Sequence, residues 1–392
     1  MAGRGKVSKT KRRRRRLILF IIELFLLAVV LCVLYLYTRL DLISTEKLDT
    51  SKIGTADLDE ETEEKLEGYT TIALFGLDNR TEGTYDSGNS DVIMIMNIDH
   101  DTGEIKLVSV YRDTYLNIAA SGDSASFRKC NAAYSYGGAE QAITMLNQNL
   151  DLDIDNYVSF DFYSVADAID ILGGVEITIE SSAELKYLNQ YIEHTNKILG
   201  TDSDTIDSVG TYILDGTQAV AYARIRYTSG GDYKRTERQR IVLNQMIENA
   251  KSASASELLE LINTILPEVS TDLTKAEIVS LATAALSYDF SSSSGFPYYK
   301  TTTTLGSKGS VVVPLDLTTN VSMLHEALFG TEDYEPSETV QAYSQQIVND
   351  TGYDADDAQA DDYTDDDDFI ESDDEETEDE DGSADASEED DE

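Results

Sequence analysis

The sequence has few cysteines, few histidines and few positive charges for its length. Two cysteines occur in 392 residues, so no disulfide framework is expected, and the three histidines lie far apart without the spacing of metal ligands. Asp and Glu outnumber Lys and Arg by 75 to 30, which gives a net charge of −45. Because nucleic acids bind to basic surfaces, this balance argues against a nucleic-acid partner.

Several common catalytic signatures are also missing. The chain has no Walker loop for nucleotide phosphates, no G-x-S-x-G elbow for a nucleophilic serine and no H-E-x-x-H pair for zinc. Candidate chemistry must therefore be sought in other combinations of residues.

The charges that are present are segregated along the chain. Residues 1–16 carry nine Lys or Arg, residues 17–37 form an apolar run that only Glu23 interrupts, and the last 42 residues carry 24 Asp or Glu and no Lys or Arg. A membrane-spanning helix needs about 20 apolar residues, and no small-x-small cleavage site follows this run. The sequence predicts one uncleaved transmembrane helix over 17–37. Basic flanks stay in the cytoplasm, so we expect residues 1–16 inside the cell and the C-terminal bulk outside it.

The rest of the chain divides by composition into three predicted parts. A polar stalk is expected over 38–67, a globular domain over 68–336, and an acidic tail over 337–392 with too few apolar residues to fold. Within the domain, strand-like and helical patterns alternate, which predicts an α/β fold with a central mixed sheet and helices on both faces. The main predicted strands are 71–75, 92–98, 105–110, 154–160 and 175–179, and the main predicted helices are 139–150, 161–172, 216–223 and 236–252.

One short segment of the domain is unusually basic. Six of the 21 Lys and Arg residues between Thr38 and Asp350 fall within residues 224–240, in the text ARIRYTSGGDYKRTERQR. Arginine forks match the oxygens of phosphate groups, so converging arginines predict an anion with many oxygens. Salt bridges to the many local acids are the alternative interpretation of the same spacing.

A second group of polar residues lies at predicted strand ends. Asp78 follows the first strand, Asp91 precedes the second, and Arg112 and Asp113 follow the third. Sheets of α/β proteins bind ligands at such positions. Two carboxylates near arginines suit Mg²⁺, which prefers one or two carboxylates together with phosphate oxygens. Turn formation is the alternative role for Asp78 and Asp91.

Five segments resemble, in order, those of the LytR-CpsA-Psr family of cell-envelope enzymes, over about residues 70–251. They read TIALFGLDNR, NSDVIMIMNIDHDTGEIKLVSVYRDTYL, KCNAAYSYGG, DFYSVADAIDILGGVEI and DGTQAVAYARIRY…GGDYKRTERQR. The resemblance implies an α/β/α sandwich with a hydrophobic pocket for a polyprenyl chain. It also implies transfer of a glycopolymer, of teichoic acid or capsular polysaccharide type, from a polyprenyl-pyrophosphate carrier to peptidoglycan. The product would carry a phosphodiester link, and Mg²⁺ would bridge the pyrophosphate.

The resemblance also assigns roles to individual residues. Arg112 corresponds to the catalytic arginine, and Asp78 and Asp91 to the metal-associated aspartates. The residues that correspond to contacts with the pyrophosphate head group are Arg80, Lys129, Asn131, Arg224, Arg226, Asp232, Arg235, Arg238 and Gln239. A carboxylate would accept the proton of the attacking hydroxyl, and Asp91 and Asp113 are both candidates.

Three other functions fit parts of the same sequence. A pyrophosphohydrolase acting on the same lipid would use every one of these residues, with water as the acceptor. A non-enzymatic surface protein would bind wall polymer or act as a regulator, and would not need Arg112 for its effect. A cation-buffering protein would depend on the acidic tail instead of the arginines.

Overall fold

The computed structural model describes residues 44–45, 48–77, 85, 88–228, 230–284 and 288–357. The strands are β1 (Ser44–Thr45), β2 (Tyr69–Leu77), β3 (Ser90–Asp99), β4 (Glu104–Val110), β5 (Tyr115–Asn117), β6 (Phe127–Lys129), β7 (Asn156–Phe160), β8 (Val175–Ile179), β9 (Gly210–Leu214), β10 (Ser270–Thr271), β11 (Asp289–Phe296), β12 (Lys300–Thr304) and β13 (Ser310–Pro314). The α-helices are α1 (Glu60–Leu66), α2 (Ala132–Leu150), α3 (Phe162–Ile171), α4 (Ser182–Leu199), α5 (Gly216–Arg224), α6 (Gly231–Ser252), α7 (Ala255–Ile265), α8 (Lys275–Ala284), α9 (Leu317–Phe329) and α10 (Glu338–Thr351).

A seven-stranded mixed sheet forms the centre of the fold, in the order β1-β10-β7-β2-β3-β4-β11. The pairs β2–β3 and β3–β4 are antiparallel, whereas β2–β7 and β4–β11 are parallel. The α/β class with a central mixed sheet, predicted from the alternating patterns, is therefore confirmed.

The central strands are buried on both faces. Successive side chains of a strand point to opposite sides of the sheet, and each side is covered by a hydrophobic cluster. On β2, Ala73, Phe75 and Leu77 face one core cluster, which also contains the buried face of α2 and is called the main core. Ile72 and Leu74 face a second cluster, which is covered by residues of α6 and α8. Helices on both faces follow directly from this double burial.

A smaller lobe is built from α3 to α6 and the antiparallel pair β8–β9. Asp161 caps α3 in a capping box with Ser164, at the start of the predicted helix 161–172. The lobe has its own apolar centre, to which Leu188 and Ile192 of α4 contribute one helical stripe. Helix α4 was not predicted, because only four of its eighteen residues are buried and its surface is polar.

The C-terminal boundary of the domain differs from the sequence prediction. The predicted acidic tail began at residue 337, but α10 lies at Glu338–Thr351 and packs into the main core through Val340 and Ile347. The helix was missed because its buried face is narrow and its other residues are polar. Residues 358–392, the remainder of the predicted tail, lie outside the described residues.

The predicted stalk also differs in part from the structure. Leu48, Ile53 and Leu66 pack against the main core, and the Gly54 backbone N–H donates to Thr144 Oγ1 of α2 at 3.0 Å. The segment from Leu48 is thus attached to the domain through a few isolated apolar residues, which give no periodic pattern. The predicted transmembrane helix, 17–37, lies outside the described residues. Among the residues that are described, no helix is long and apolar enough to cross a membrane.

Candidate functional site

The pairing of β3 with β4 brings together the predicted group at the strand ends, and Arg226 and Asp232 of the basic segment contact this group. In this antiparallel pair Met94 lies opposite Ser109, and continuing the register past the end of β4 places Arg112 opposite Asp91, near the start of β3. Lys129 ends β6, and Asp232 lies in the first turn of α6. We call the following residues the site cluster: Asp91, Arg112, Asp113, Lys129, Arg226, Asp232 and Arg235.

Arg112 lies at the centre of the site cluster, among three carboxylates. Its Nη1 donates to Asp91 Oδ1 at 2.8 Å, and its Nε is 3.6 Å from Asp232 Oδ1 and 3.9 Å from Asp113 Oδ2. Burial alone would lower the pKa of Arg112, but the charges of Asp91, Asp113 and Asp232 outweigh it and raise the pKa. Arg112 therefore carries a permanent positive charge at a fixed position.

Arg226 and Lys129 each bind one of the carboxylates that surround Arg112. Arg226 Nη2 donates to Asp91 Oδ2 at 3.2 Å, so both oxygens of Asp91 are bound by arginines. Lys129 Nζ lies 3.2 Å from Asp113 Oδ1. The side chains of Arg226 and Lys129 are 38% and 31% exposed, which leaves both able to reach a ligand.

Arg235 is the most deeply buried cation of the site cluster. Its side chain is 3% exposed, and its Nη2 lies 2.7 Å from Asp232 Oδ1. Burial lowers the pKa of Arg235 to about 10; Asp232 opposes this shift, while Arg112 and Arg226 add to it. Within the described residues, Nε and Nη1 of Arg235 and Oδ2 of Asp232 are buried without a hydrogen-bond partner. Such groups are costly to leave unmatched, so the site cluster is suited to a charged ligand that completes them.

The backbone around Asn131 fixes the two strand ends that carry the site cluster. The Asn131 N–H donates to the Arg112 carbonyl at 3.0 Å, and the Asn131 carbonyl accepts from the Ser90 N–H at 3.3 Å. Cys130 is fully buried, and its Sγ lies 3.2 Å from the Tyr111 carbonyl and 3.3 Å from that of Arg112. Burial raises the pKa of Cys130, so its thiol remains protonated and donates.

The other residues of the basic segment have separate contacts. Arg224 ends α5, donates to Thr195 Oγ1 at 3.1 Å, and lies over the ring of Phe162 with 4.8 Å between the guanidinium carbon and the ring centroid. These contacts differ from that of Arg226, which binds Asp91. Gln239 is half-buried on α6, one helical turn after Arg235.

Arg238 is turned towards the smaller lobe. Its Nε donates to Glu184 Oε1 at 2.9 Å, its Nη1 to the Ile225 carbonyl at 3.3 Å, and its Nη2 to Thr228 Oγ1 at 3.0 Å. The structure therefore does not bring Arg238 into the site cluster, although it stands only three residues from Arg235 on the same helix.

Asp78, predicted to hold a metal ion, and Arg80, predicted to contact the head group, lie outside the described residues. Among the described residues, no group of three or more His, Cys, Asp or Glu is arranged to hold a metal ion. Asp91 already binds two arginines, but the buried Oδ2 of Asp232 lacks a partner there. This donor set fits Mg²⁺ if substrate phosphate supplies most of the ligands.

Two tyrosines and a lysine that support the site cluster were not singled out from the sequence. Tyr111 and Tyr233 stand next in sequence to Arg112 and Asp232, and their ring centroids lie 4.7 Å apart, edge to face. Lys300 Nζ lies 5.4 Å and 4.9 Å from the two rings. They hold the end of β4 against the start of α6. For Tyr111 and Tyr233, the position beside Arg112 and Asp232 in the sequence was the only signal of this role.

The fold and the site cluster together define an α/β protein with arginines and carboxylates in contact at one end of its sheet. The model of the LytR_cpsA_psr family matches residues 35–296, and the chain belongs to this family.

Named proteins with similar sequences are consistent with this family assignment. The polyisoprenyl-teichoic acid–peptidoglycan teichoic acid transferase TagU of Enterococcus faecalis is 29% identical over 215 residues, which cover 54% of this chain and 64% of TagU. TagT of Bacillus subtilis, with the same transferase designation, is 28% identical over 187 residues, 47% of this chain and 54% of TagT. The chain thus spans less than two thirds of the length of these relatives. A solved structure of TagT bound to LI-WTA has a TM-score of 0.51 at 20% identity, covering 78% of this chain and 99% of TagT, and shares the fold.

Proposed function

We propose that the protein is a membrane-anchored transferase of the cell envelope. It moves a glycopolymer of teichoic acid or capsular polysaccharide type from a polyprenyl-pyrophosphate carrier to peptidoglycan, outside the cell. The transferase designation of TagU and TagT supports this reaction class. The observation that carries the proposal is Arg112, held among three carboxylates and surrounded by three further cations.

The charge balance of the site cluster supports an anionic substrate. Four cations face three carboxylates, so the cluster is positive in a chain of net charge −45. At about 4 Å, two unit charges interact with roughly 4 kcal/mol at an effective dielectric of 20, whereas charges beyond about 10 Å are screened at 0.1 M salt. The interaction energy of a bound anion with the nearby arginines is therefore larger than its repulsion by distant acids.

In the proposed reaction, a hydroxyl of peptidoglycan attacks the phosphorus that bears the glycan. A phosphodiester bond forms, the bond to the bridging oxygen breaks, and polyprenyl phosphate leaves. Such a reaction needs positioning and charge stabilisation more than covalent catalysis, and arginines on the phosphate oxygens supply both. Mg²⁺, when bound, would neutralise further charge on the pyrophosphate.

The hydroxyl proton requires an acceptor, for which Asp91 and Asp113 were the candidates. Both oxygens of Asp91 accept hydrogen bonds from arginines. Asp113 uses Oδ1 for Lys129, while its Oδ2 is 3.9 Å from Arg112 Nε, beyond hydrogen-bonding distance. We therefore assign the proton to Asp113 Oδ2.

The test uses the full chain in phospholipid nanodiscs with a polyprenyl-pyrophosphate glycan, peptidoglycan fragments and Mg²⁺. Mass spectrometry detects the phosphodiester-linked product. We expect Arg112→Ala to lower turnover by at least about a hundredfold, the usual loss when a group that stabilises developing charge is removed. Arg128→Ala is the matched control, because Arg128 is an exposed arginine on β6 and is not part of the site cluster.

Each other outcome points to a competing function. Release of polyprenyl phosphate without linked product would identify a pyrophosphohydrolase. Binding of the lipid by a folded chain without any turnover would identify a binding or regulatory protein. Product formation that is unchanged in Arg112→Ala would contradict the role given to the site cluster.

A further inference from the structure

The start of α6 carries Asp232 but has little support from its own residues. Its N-cap is Gly230, which has a φ of 85° and offers no side chain to bind the free N–H groups of the first turn. Gly231 follows, also with a positive φ. Contacts with other elements must therefore hold this helix start, and its position decides where Asp232 meets Arg112.

Tyr233, the next residue of α6, makes contacts that tie this helix start to the end of β4. Its ring lies edge to face against that of Tyr111, with 4.7 Å between the centroids. Lys300 Nζ lies 4.9 Å from the Tyr233 centroid and 5.4 Å from the Tyr111 centroid, within the range of a cation–π interaction with both rings. The Tyr233 hydroxyl also lies 3.1 Å from Thr302 Oγ1. One lysine of β12 thus joins the end of β4 to the start of α6.

Tyr111 is itself held in place by β11. Its backbone N–H donates to the Phe296 carbonyl at 3.0 Å, and its phenol lies against Gly295, where a Cβ would overlap the phenol oxygen. The β12–β13 hairpin holds the turn that follows, because the Val312 N–H donates to the Asp113 carbonyl at 2.9 Å. The end of β4 is therefore fixed on β11 and β13, and the cation–π contacts transmit that position to α6.

We propose that Lys300 is a positioning residue for the transfer reaction. Its charge holds the rings of Tyr111 and Tyr233 together, and this contact sets the 3.6 Å separation between Arg112 Nε and Asp232 Oδ1. Displacement of a catalytic group by about 1 Å can lower a rate about a hundredfold, so support of this kind affects the chemical step. The inference rests on the proposed function, because it assumes that Arg112 acts on the pyrophosphate.

The test measures kcat and KM for the polyprenyl-pyrophosphate glycan with the full chain in nanodiscs. Lys300→Met keeps the length of the side chain and removes its charge. We expect it to lower kcat about tenfold and to leave KM within about twofold, because the position of Arg112 matters more to the transition state than to the bound donor. Lys300→Arg keeps a cation over the rings and should restore kcat. Lys308→Met is the matched control, since Lys308 belongs to the same hairpin but lies over Tyr115, 4.6 Å from the ring centroid.

A double-mutant cycle tests whether Lys300 acts through the ring of Tyr233. We expect Lys300→Met and Tyr233→Leu each to lower kcat. The double variant should lose little more than the more impaired single variant, because both substitutions break the same contact. Losses in kcat that multiply would overturn the route through Tyr233.

The other outcomes separate this inference from the proposed function. If Lys300→Met raises KM and leaves kcat unchanged, Lys300 contacts the donor directly and the positioning role is overturned. If urea unfolding shows a less stable chain whose folded fraction keeps the wild-type kcat, the role of Lys300 is structural only. An unchanged kcat, KM and stability would leave Lys300 without a role. In these three cases the transferase stands; if the wild type transfers no glycan, the proposed function fails, and this inference fails with it.

Discussion

At the scale of single residues, the basic segment contains cations with two kinds of environment. Arg226 is exposed enough to reach a ligand and lies in the site cluster, whereas Arg238 is buried and makes three hydrogen bonds within the protein. The sequence placed them in one group because both lie in the basic segment 224–240, and their position in that segment does not show which acids they contact. Their partners, Asp91 and Glu184, come from distant parts of the chain.

We expect Arg238→Ala to destabilise the fold more than Arg226→Ala. Removal of Arg238 leaves Glu184 as a buried charge without its partner, at a cost of about 3–5 kcal/mol. Arg226 is 38% exposed, so its loss should cost about 1 kcal/mol or less. Urea unfolding of the two variants measures the difference. Equal stabilities would contradict the structural role of Arg238.

A second residue-scale prediction concerns the pH dependence of stability. Burial raises the pKa of Asp272 to about 6, the Tyr157 N–H opposes the shift, and the charges of Asp155 and Glu277 add to it. Because the folded pKa lies above the unfolded one, the folded state holds this proton more tightly. Its contribution to stability is therefore complete below pH 4 and is lost as the pH rises towards 6.

The substitution Asp272→Asn should remove this loss of stability at high pH. The amide Oδ1 of Asn at position 272 can still accept the hydrogen bond from the Tyr157 N–H. We expect a gain of about 1–3 kcal/mol at pH 7.5 and a smaller gain at pH 5. Both values stay clear of the isoelectric point near 4.1. Asp123→Asn, at an exposed loop position, serves as the control. A gain that is the same at both pH values would refute the assignment.

At the scale of elements, the sequence predicted what local patterns determine. Strands β2, β3 and β4 and helix α3 follow from apolar runs and from the cap at Asp161. Helix α10 was missed because its burial depends on α2 and α9, which no local pattern reveals. The site cluster was predicted in part, since strand ends meet at a sheet edge. The pairing of Arg112 with Asp232 and the support from Lys300 required the tertiary structure.

Helix α10 is predicted to be necessary for folding. Val340 and Ile347 are buried in the main core, and Asp151 accepts hydrogen bonds from the Ser337 N–H and hydroxyl just before the helix. We expect Ile347→Ala to lower the free energy of unfolding by about 2–5 kcal/mol, and Gln345→Ala, on the exposed side, to leave it nearly unchanged. Thermal unfolding of both variants provides the measurement. A chain cut after residue 336 should fail to fold, and a stable product of that length would contradict the role of α10.

At the scale of the whole molecule, a strongly acidic chain is proposed to bind an anionic substrate. Charges of the same sign slow the approach of an anion over distances comparable to the Debye length, about 30 Å at 0.01 M salt and about 8 Å at 0.15 M. Residues 358–392 contain 21 Asp or Glu and no Lys or Arg, so their removal changes the net charge from −45 to −24. The effect of this segment should therefore appear mainly at low salt.

We expect a chain ending at Asp357 to bind a water-soluble, short-chain prenyl-pyrophosphoryl sugar faster than the full chain at 0.01 M salt, by up to about tenfold. At 0.15 M salt the two association rates should converge, because screening removes the contribution of distant charges while the contacts of the site cluster persist. Stopped-flow fluorescence at both salt concentrations gives the comparison, and Arg128→Ala on the full chain controls for the effect of a single surface charge. If the truncated chain instead loses turnover at 0.15 M salt, the acidic segment has a function of its own, and the cation-buffering hypothesis gains support over a purely electrostatic one.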